Sequence, residues 1–177
     1  FQPNLALLAA LSARNVAFGA QLRIDHFTPE TLDLLGAAGC VSIEAGVESV
    51  SFEGRRALAK RCSHSTEDLV ALLIHARKRV PFVQANLLDG GFDDPAAVER
   101  FRDELRLHDV WANKPVPLFP YPGSPAYTAR WGAPDDEAWE RAHAHYLALS
   151  ADYSDIQDER PKPLGELEAS AGGAADA

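Results

Sequence analysis

The regular alternation of strand-like and helix-like segments constrains the fold of this chain more than any other feature. Short runs rich in β-branched and aromatic residues, typical of strands, occupy residues 16–24, 40–47, 81–88 and 110–119. A segment with apolar residues at helical spacing follows each run. Alternation with short connections favours a parallel sheet whose strands are joined by right-handed crossovers.

Chain length limits how many such units the fold contains. A complete eight-unit barrel usually needs about 250 residues, whereas this chain has 177. We therefore predict an α/β fold that is a fragment of a partial TIM-like (β/α) barrel, with about four parallel strands and flanking helices. Helix starts are marked by capping residues at Asn4, Thr28 and Ser65. The predicted helices cover residues 5–11, 29–39, 49–60, 65–79, 95–108 and 134–149.

Charge and cysteine content exclude several classes of function. The chain has 26 acidic and 17 basic residues, a formal charge of −9, and no basic patch suited to nucleic-acid phosphates. No apolar run approaches the roughly 20 residues of a membrane span. Its two cysteines, Cys40 and Cys62, cannot build a disulfide framework or a four-thiolate metal site. So few cysteines fit a reducing, cytoplasmic setting best. The six histidines lack metal-binding spacing, so we predict no metal site.

The two ends of the chain differ from its centre. The sequence contains no methionine and begins with Phe1. Because a natural reading frame begins with Met, we expect the chain to be part of a longer parent protein. At the other end, proline and small residues dominate, a composition that favours disorder. We predict a helical extension over residues 131–157 and a disordered tail over residues 158–177.

Candidate binding residues occur where the predicted strands end. In parallel α/β sheets, ligands bind at the carboxyl ends of strands. Alternation along the first strand places Gln21, Arg23 and Asp25 on one face and their apolar neighbours on the other. An arginine inside a barrel needs an anion or a carboxylate. Arg23 therefore either binds a ligand anion or forms a salt bridge at the rim with Asp25 or Glu48.

A glycine and an acid lie at the end of the second predicted strand. Gly46 permits close approach of a ligand to the backbone, and Glu48 can accept hydrogen bonds from ligand hydroxyls or an amine. Glu48 can instead cap the next helix. Lys60, at the end of that predicted helix, can reach a ligand carboxylate or serve only as a helix-dipole partner. Glycines and acids at 89–94 can build a ligand loop or a cation site, but a glycine turn that caps the next helix is favoured. Residues 120–125 are predicted to be a stiff rim loop.

Several short motifs in the first 130 residues carry a resemblance to a known family. In chain order they are Phe-Gln-Pro-Asn at 1–4, Gln-Leu-Arg-Ile-Asp at 21–25, Ala-Gly-Cys at 38–40, Gly-Val-Glu-Ser at 46–49, Lys60, and Tyr-Pro-Gly-Ser-Pro-Ala-Tyr at 121–127. In this order, the chain resembles the C-terminal half of a radical S-adenosylmethionine (SAM) core domain. The closer likeness is to the cobalamin (vitamin B12)-binding class of that superfamily.

The resemblance implies that residues 1–130 are half of a partial (β/α)6 barrel that binds SAM against a [4Fe–4S] cluster. In such enzymes, reductive cleavage of SAM yields methionine and a 5′-deoxyadenosyl radical that abstracts hydrogen from the substrate. By position, the resemblance implies that Gln21 faces the nucleoside, with Arg23 beside it. It also implies that Glu48 contacts the ribose or the amino-acid part and that Lys60 meets the carboxylate. It favours the binding roles of Arg23 and Glu48 over their structural alternatives and leaves both roles open for Gln21 and Lys60.

The departures from the family pattern are as informative as the matches. The chain lacks the Cys-x3-Cys-x2-Cys motif by which relatives hold the cluster, and the glycine-rich segment that holds the methionine amine. Residues 89–93 read Asp-Gly-Gly-Phe-Asp where relatives usually carry Gly-Leu-Pro-Gly-Glu. We therefore expect the isolated chain to be catalytically inactive. The cluster and cobalamin would belong to the parent, which would act on an unidentified small molecule.

Two other interpretations remain at this stage. The first is a non-catalytic α/β half-barrel that docks with a separately encoded N-terminal half, since an exposed edge strand favours pairing with another chain. The second is an unrelated barrel enzyme that uses Glu48 and Asp25 as an acid–base pair.

Overall fold

The computed structural model describes residues 4–150 and Glu166, and a parallel β-sheet lies at its centre. Four strands follow each other in the sheet in chain order, and a fifth pairs with the third beyond the end of the fourth. Every pairing is parallel, which confirms the predicted α/β fold. The strands in the described residues are β1 (Phe18–Leu22), β2 (Cys40–Glu48), β3 (Phe82–Asp89), β4 (Trp111–Ala112) and β5 (Val116–Pro117).

Helices flank this sheet, and their starts agree with the capping signals. Asn4, Thr28 and Ser65 each accept a hydrogen bond from a backbone N–H in the first turn of the helix that follows. Within the described residues, no helix combines the length and the apolar character needed to cross a bilayer. The helices are α1 (Leu5–Ser12), α2 (Pro29–Ala37), α3 (Phe52–Ala57), α4 (Thr66–Arg77), α5 (Pro95–Arg106), α6 (Pro125–Trp131) and α7 (Ala138–Ser150).

The two faces of the sheet differ in chemistry. Along β2 and β3, alternate residues point to opposite faces. The odd-numbered residues from 43 to 47 and from 83 to 87 are apolar and join the hydrophobic core together with residues of α2, α4 and α5. The even-numbered ones include Ser42, Glu44, Gln84 and Asn86, which share the opposite face. One face therefore builds the core, and the other presents polar groups.

The predicted strands are longer than the observed ones at two places. The strand predicted over residues 16–24 is observed only as β1, which is two residues shorter at each end. Residues 24–26 form a 3-10 turn. The strand predicted over residues 110–119 is reduced to the short pieces β4 and β5. Pro115 and Pro117 explain this reduction, because proline has no N–H to donate to a strand ladder.

Two predictions about the connecting segments are also corrected. The helix predicted over residues 49–60 is shortened to α3, because Ser51 caps it by accepting a hydrogen bond from Gly54 N at 3.1 Å. The rim loop predicted over residues 120–125 leads directly into α6, a helix that the sequence analysis missed and that Ser124 caps. The predicted tail, residues 158–177 apart from Glu166, and the last part of the predicted helical extension, residues 151–157, lie outside the described residues.

Candidate functional site

Arg23 and Asp25 form a bidentate ion pair at the carboxyl end of β1. Arg23 Nη2 donates to Asp25 Oδ2 at 2.6 Å, and Arg23 Nε donates to Asp25 Oδ1 at 3.2 Å. The Asp25 side chain is 2% exposed and the Arg23 side chain 38%. The carboxylate is thus held inside the protein while the guanidinium keeps an exposed edge. The salt bridge considered as the structural role of Arg23 is therefore present.

This ion pair shifts the pKa of both partners in the direction that keeps them charged. Burial acts to raise the pKa of the Asp25 carboxyl, but the hydrogen bond from Arg23 and the positive charges of Lys60 and Arg23 outweigh it, so the pKa is lowered. The hydrogen bond with Asp25 in turn raises the pKa of Arg23. Both Asp25 oxygens accept hydrogen bonds from Arg23 and the side chain is buried, so this geometry does not support an acid–base pair of Asp25 and Glu48.

Glu48, the last residue of β2, adopts a left-handed backbone conformation with φ of 71°. This conformation costs a residue with a side chain about 1–2 kcal/mol. The pairing of β2 with β3 shifts register between Gly46 and Glu48, as in a β-bulge. The Glu48 carboxylate turns back over Gly46, where a Cβ would clash with Glu48 Oε1. Gly46 is therefore needed for the position of this carboxylate.

Lys60 reaches the same edge of the sheet from the segment after α3. Its Nζ donates to the carbonyl oxygen of Gly46 and lies 3.5 Å from Glu48 Oε1. Only 5% of its side chain is exposed. Burial lowers the pKa of the ammonium, and the negative charges of Glu48 and Asp25 oppose that shift. The helix-dipole role considered for Lys60 is wrong, because α3 ends at Ala57 and the ammonium binds the end of β2 instead.

Arg23, Asp25, Glu48 and Lys60 together form what we call the charged cluster. Lys60 interacts electrostatically with Glu48, Asp25 and Arg23, and Arg23 interacts with Glu48. Two positive and two negative charges balance. The members with exposed area are Arg23 at 38% and Glu48 at 29%. The surface of the cluster therefore offers one cation and one anion, each supported by a buried counter-ion.

Gln21 lies on β1, two residues before the charged cluster begins. Its Nε2 donates to Glu44 Oε2 at 2.9 Å, and the two residues are register partners in the sheet. The structure thus brings together three of the four predicted site residues and places Gln21 beside Glu44. Each ion pair lies within one βα unit, Arg23 with Asp25 after β1 and Lys60 with Glu48 after β2. The electrostatic interactions between the two pairs cross from one unit to the next, and only the tertiary fold assembles those.

The sequence analysis missed one residue at this edge, Asp93, which holds the turn after Glu48. Its Oδ1 accepts hydrogen bonds from Ser49 Oγ at 2.7 Å, Ser51 Oγ at 2.6 Å and Ser51 N at 3.1 Å. Its Oδ2 accepts a hydrogen bond from Val50 N at 3.0 Å. Glu48 does not cap α3, since Ser51 does so, and that alternative is wrong.

The loop that carries Asp93 also performs its predicted task. Asp94 caps α5 by accepting a hydrogen bond from Ala96 N at 3.3 Å. A capping acid before Pro95 is a local signal that the sequence displays. The bonds from Asp93 reach residues more than 40 positions away, so no local pattern reveals them.

The residues of this chain do not fit an iron–sulfur cluster. Within residues 4–150 and Glu166, no group of three or more His, Cys, Asp and Glu side chains is arranged to hold a metal ion. Iron–sulfur clusters are held by several thiolates, and the chain has two cysteines. Both are buried, and burial raises the pKa of the Cys40 thiol to about 12. Neither is suited to bind iron as a thiolate here.

Comparisons with known proteins support the fold described above. The parallel sheet with flanking helices resembles part of a radical SAM enzyme. No protein-family model matches the sequence, and no curated protein matches it. One similar solved structure is the radical S-adenosylmethionine methyltransferase TsrM from Kitasatospora setae with cobalamin and a [4Fe–4S] cluster bound, at 21% identity and a TM-score of 0.50. The match covers 66% of this chain and 26% of TsrM.

A second structure of TsrM, with tryptophan substrate and the SAM analogue aza-SAM bound, is similar at 22% identity and a TM-score of 0.51. It covers 66% of this chain and 25% of TsrM, so the chain spans about a quarter of the protein that it matches. At these identities the similarity shows a shared fold.

Proposed function

We propose that this chain is the C-terminal half of a radical SAM core domain of the cobalamin-binding class, and that its charged cluster binds SAM. The observation that carries the proposal is the assembly of Arg23, Glu48 and Lys60 at the carboxyl edge of a parallel sheet, where ligands of such folds bind. The order of the sequence motifs and the similarity to TsrM support it.

The chemistry of the cluster fits the amino-acid end of SAM, which carries an ammonium and a carboxylate. The exposed carboxylate of Glu48 can accept hydrogen bonds from the ammonium, and the exposed edge of Arg23 can donate to the carboxylate. Asp25 and Lys60 hold these two side chains in place from below. Gln21, beside Glu44 on the sheet face, would contact the nucleoside.

The role implied for Lys60, contact with the ligand carboxylate, is revised in this proposal. Its ammonium already donates to the Gly46 carbonyl and pairs with Glu48. A direct contact with a ligand would need one of these interactions to be exchanged. We therefore give Arg23 the carboxylate and Lys60 the task of orienting Glu48.

A reduced [4Fe–4S] cluster would supply the electron that cleaves bound SAM to a radical. This chain binds and orients SAM in the proposal, while the cluster and cobalamin belong to the parent. The isolated chain would then catalyse nothing. Incubation of the purified chain with iron and sulfide tests this point: no [4Fe–4S] absorbance is expected, and a stoichiometric cluster would contradict it.

Binding of SAM is tested by calorimetry on the purified chain and its Glu48→Gln variant. Loss of one charged hydrogen bond should weaken SAM binding about tenfold or more. Binding of methylthioadenosine, which has no amino-acid end, should be unchanged in the same variant. Glu53→Gln, an exposed glutamate nearby on α3, is the matched control and should leave both affinities unaltered. An equal loss for both ligands would refute the assignment of Glu48.

A second candidate function is docking with a separately encoded N-terminal half. The observation that favours it is the position of β1 at the edge of the sheet, paired on one side to β2 among the described strands. Such an edge offers unpaired backbone groups to another strand. Co-purification with a protein that carries a Cys-x3-Cys-x2-Cys motif would support a split enzyme. A monodisperse monomer that such a protein leaves unchanged would argue against it.

A further inference from the structure

We infer that Asp93 is a positioning residue for Glu48: by holding the turn formed by Ser49, Val50 and Ser51, it keeps the Glu48 carboxylate over Gly46 and beside Lys60. As far as Glu48 binds SAM, this inference rests on the proposed function. Its principal test, however, needs no ligand.

The turn after Glu48 is held from two sides. Asp93 accepts four hydrogen bonds from the N–H and hydroxyl groups of the turn, at distances between 2.6 and 3.1 Å. The carbonyl oxygens of the turn are bound by other residues. Arg55 Nη1 donates to Ser49 O at 3.1 Å, and Thr66 Oγ1 donates to Val50 O at 2.5 Å. Asp93 thus binds donors of the turn, whereas Arg55 and Thr66 bind acceptors. A carboxylate suits this task because it accepts several bonds and donates none.

The backbone of Glu48 explains why the turn matters to the site. Its φ of 71° lies in a region that residues with a side chain rarely occupy unless the surrounding structure imposes it. The residue immediately after it, Ser49, is 1% exposed and bound to Asp93. If the turn is released, Glu48 can return to extended backbone. Its carboxylate then leaves Gly46 and moves away from Lys60.

The Lys60 ammonium reports this movement in the absence of any ligand. Burial lowers its pKa, and the charge of Glu48 is the largest influence that opposes the shift. Asp25 and Arg23 also face Lys60, and the variants described below leave both unchanged. When Glu48 moves away, Lys60 is therefore expected to lose its proton at lower pH than in the wild type.

The experiment follows the Lys60 side-chain signal by NMR in carbon-13 lysine-labelled protein during an alkaline titration. The signal is assigned by its loss in Lys60→Arg, and Glu48→Gln gives the full shift expected when the charge is removed. Asp93→Asn should shift the titration toward lower pH, in the direction of Glu48→Gln. Asp94→Asn, which alters the neighbouring helix cap, should leave it at the wild-type position. A purely structural role for Asp93 would lower the melting temperature without moving the titration.

Asp93→Asn titrating like the wild type would overturn the inference. If Asp93→Asn does not fold, Ser49→Ala takes its place, because it removes one of the four bonds to Asp93 together with the bonds of Ser49 Oγ to Ser51 within the same turn. A smaller shift of the same sign is then expected, and the absence of any shift would overturn the inference.

SAM affinity gives a second, separate readout. If Asp93 acts through Glu48, Asp93→Asn weakens SAM binding about tenfold. The double variant with Glu48→Gln then binds no more weakly than Glu48→Gln alone, within about twofold. Wild-type chain that does not bind SAM would refute the proposed function, and the Lys60 titration would still decide the role of Asp93.

Discussion

Replacing Arg23 by methionine is expected to destabilise the fold far more than the same change at a surface arginine. The substitution removes the bidentate partner of Asp25, whose side chain is 2% exposed. A buried carboxylate then has to lose its charge or find water. Loss of one partner of a fully buried ion pair costs about 3–5 kcal/mol. Because the Arg23 side chain is 38% exposed, water can reach part of the vacated space, and we expect a loss of about 2–3 kcal/mol.

The matched control is Arg106→Met on α5. Arg106 Nη1 lies 2.5 Å from Asp103 Oδ1, but their side chains are 66% and 64% exposed. Such surface pairs contribute at most about 0.5 kcal/mol. Urea unfolding followed by circular dichroism measures both variants. With a slope of about 2 kcal/mol per molar urea, the midpoint should fall roughly 1 M further in Arg23→Met than in Arg106→Met.

The loss of stability in Arg23→Met should also depend on pH. In the wild type the pKa of Asp25 is lowered in the folded state, so the stability it contributes is present above the unfolded pKa and is lost as the pH falls through the folded pKa. In Arg23→Met, burial of Asp25 without its partner raises that pKa. As the pH falls, protonation of Asp25 removes the cost of the buried, unpaired charge in the variant. The difference in unfolding free energy should therefore narrow from about pH 7 to about pH 3. A difference that is absent at neutral pH, or constant with pH, would refute this reasoning.

Three further predictions concern other parts of the site and the core. Gly46→Ala should weaken SAM binding about tenfold in calorimetry, because the added Cβ displaces the Glu48 carboxylate. Cys40, whose buried thiol has a pKa raised to about 12, should react with iodoacetamide only after unfolding, as mass spectrometry can show. Asn113→Ala should lower unfolding free energy by about 2–4 kcal/mol in thermal melts, because Leu87 N and O lose their bonds to its amide.

The parts of the fold that were predicted correctly depend on local patterns. Thr28 before Pro29 signals a helix start whatever lies around it, and the structure contains a capping box there. Leu32 and Leu35 lie at helical spacing in that helix, and both are fully buried. The strand prediction was least accurate near Pro115 and Pro117, where short pairings depend on the neighbouring strand rather than on the residues alone.

The candidate site shows the same division. Arg23 and Glu48 were identifiable because polar residues at strand ends stand out from an apolar alternation. Lys60 was named as a side chain that can reach this edge, but its bond to the Gly46 carbonyl, 14 residues earlier in the chain, has no local signal. Asp93 was missed for the same reason, as its partners lie on another βα unit.

Hydrophobic periodicity, capping residues and the count of strands were enough to define a parallel α/β sheet and the edge at which a ligand would bind, because each of these signals acts within a few residues. Which charges meet at that edge was decided by packing. Burial makes an unpaired charge costly, so Asp25 and Lys60 adopt positions in which Arg23, Glu48 and the Gly46 carbonyl satisfy them. Each of these pairs is close in sequence, but the two pairs lie on different βα units, and only the folded structure brings them together.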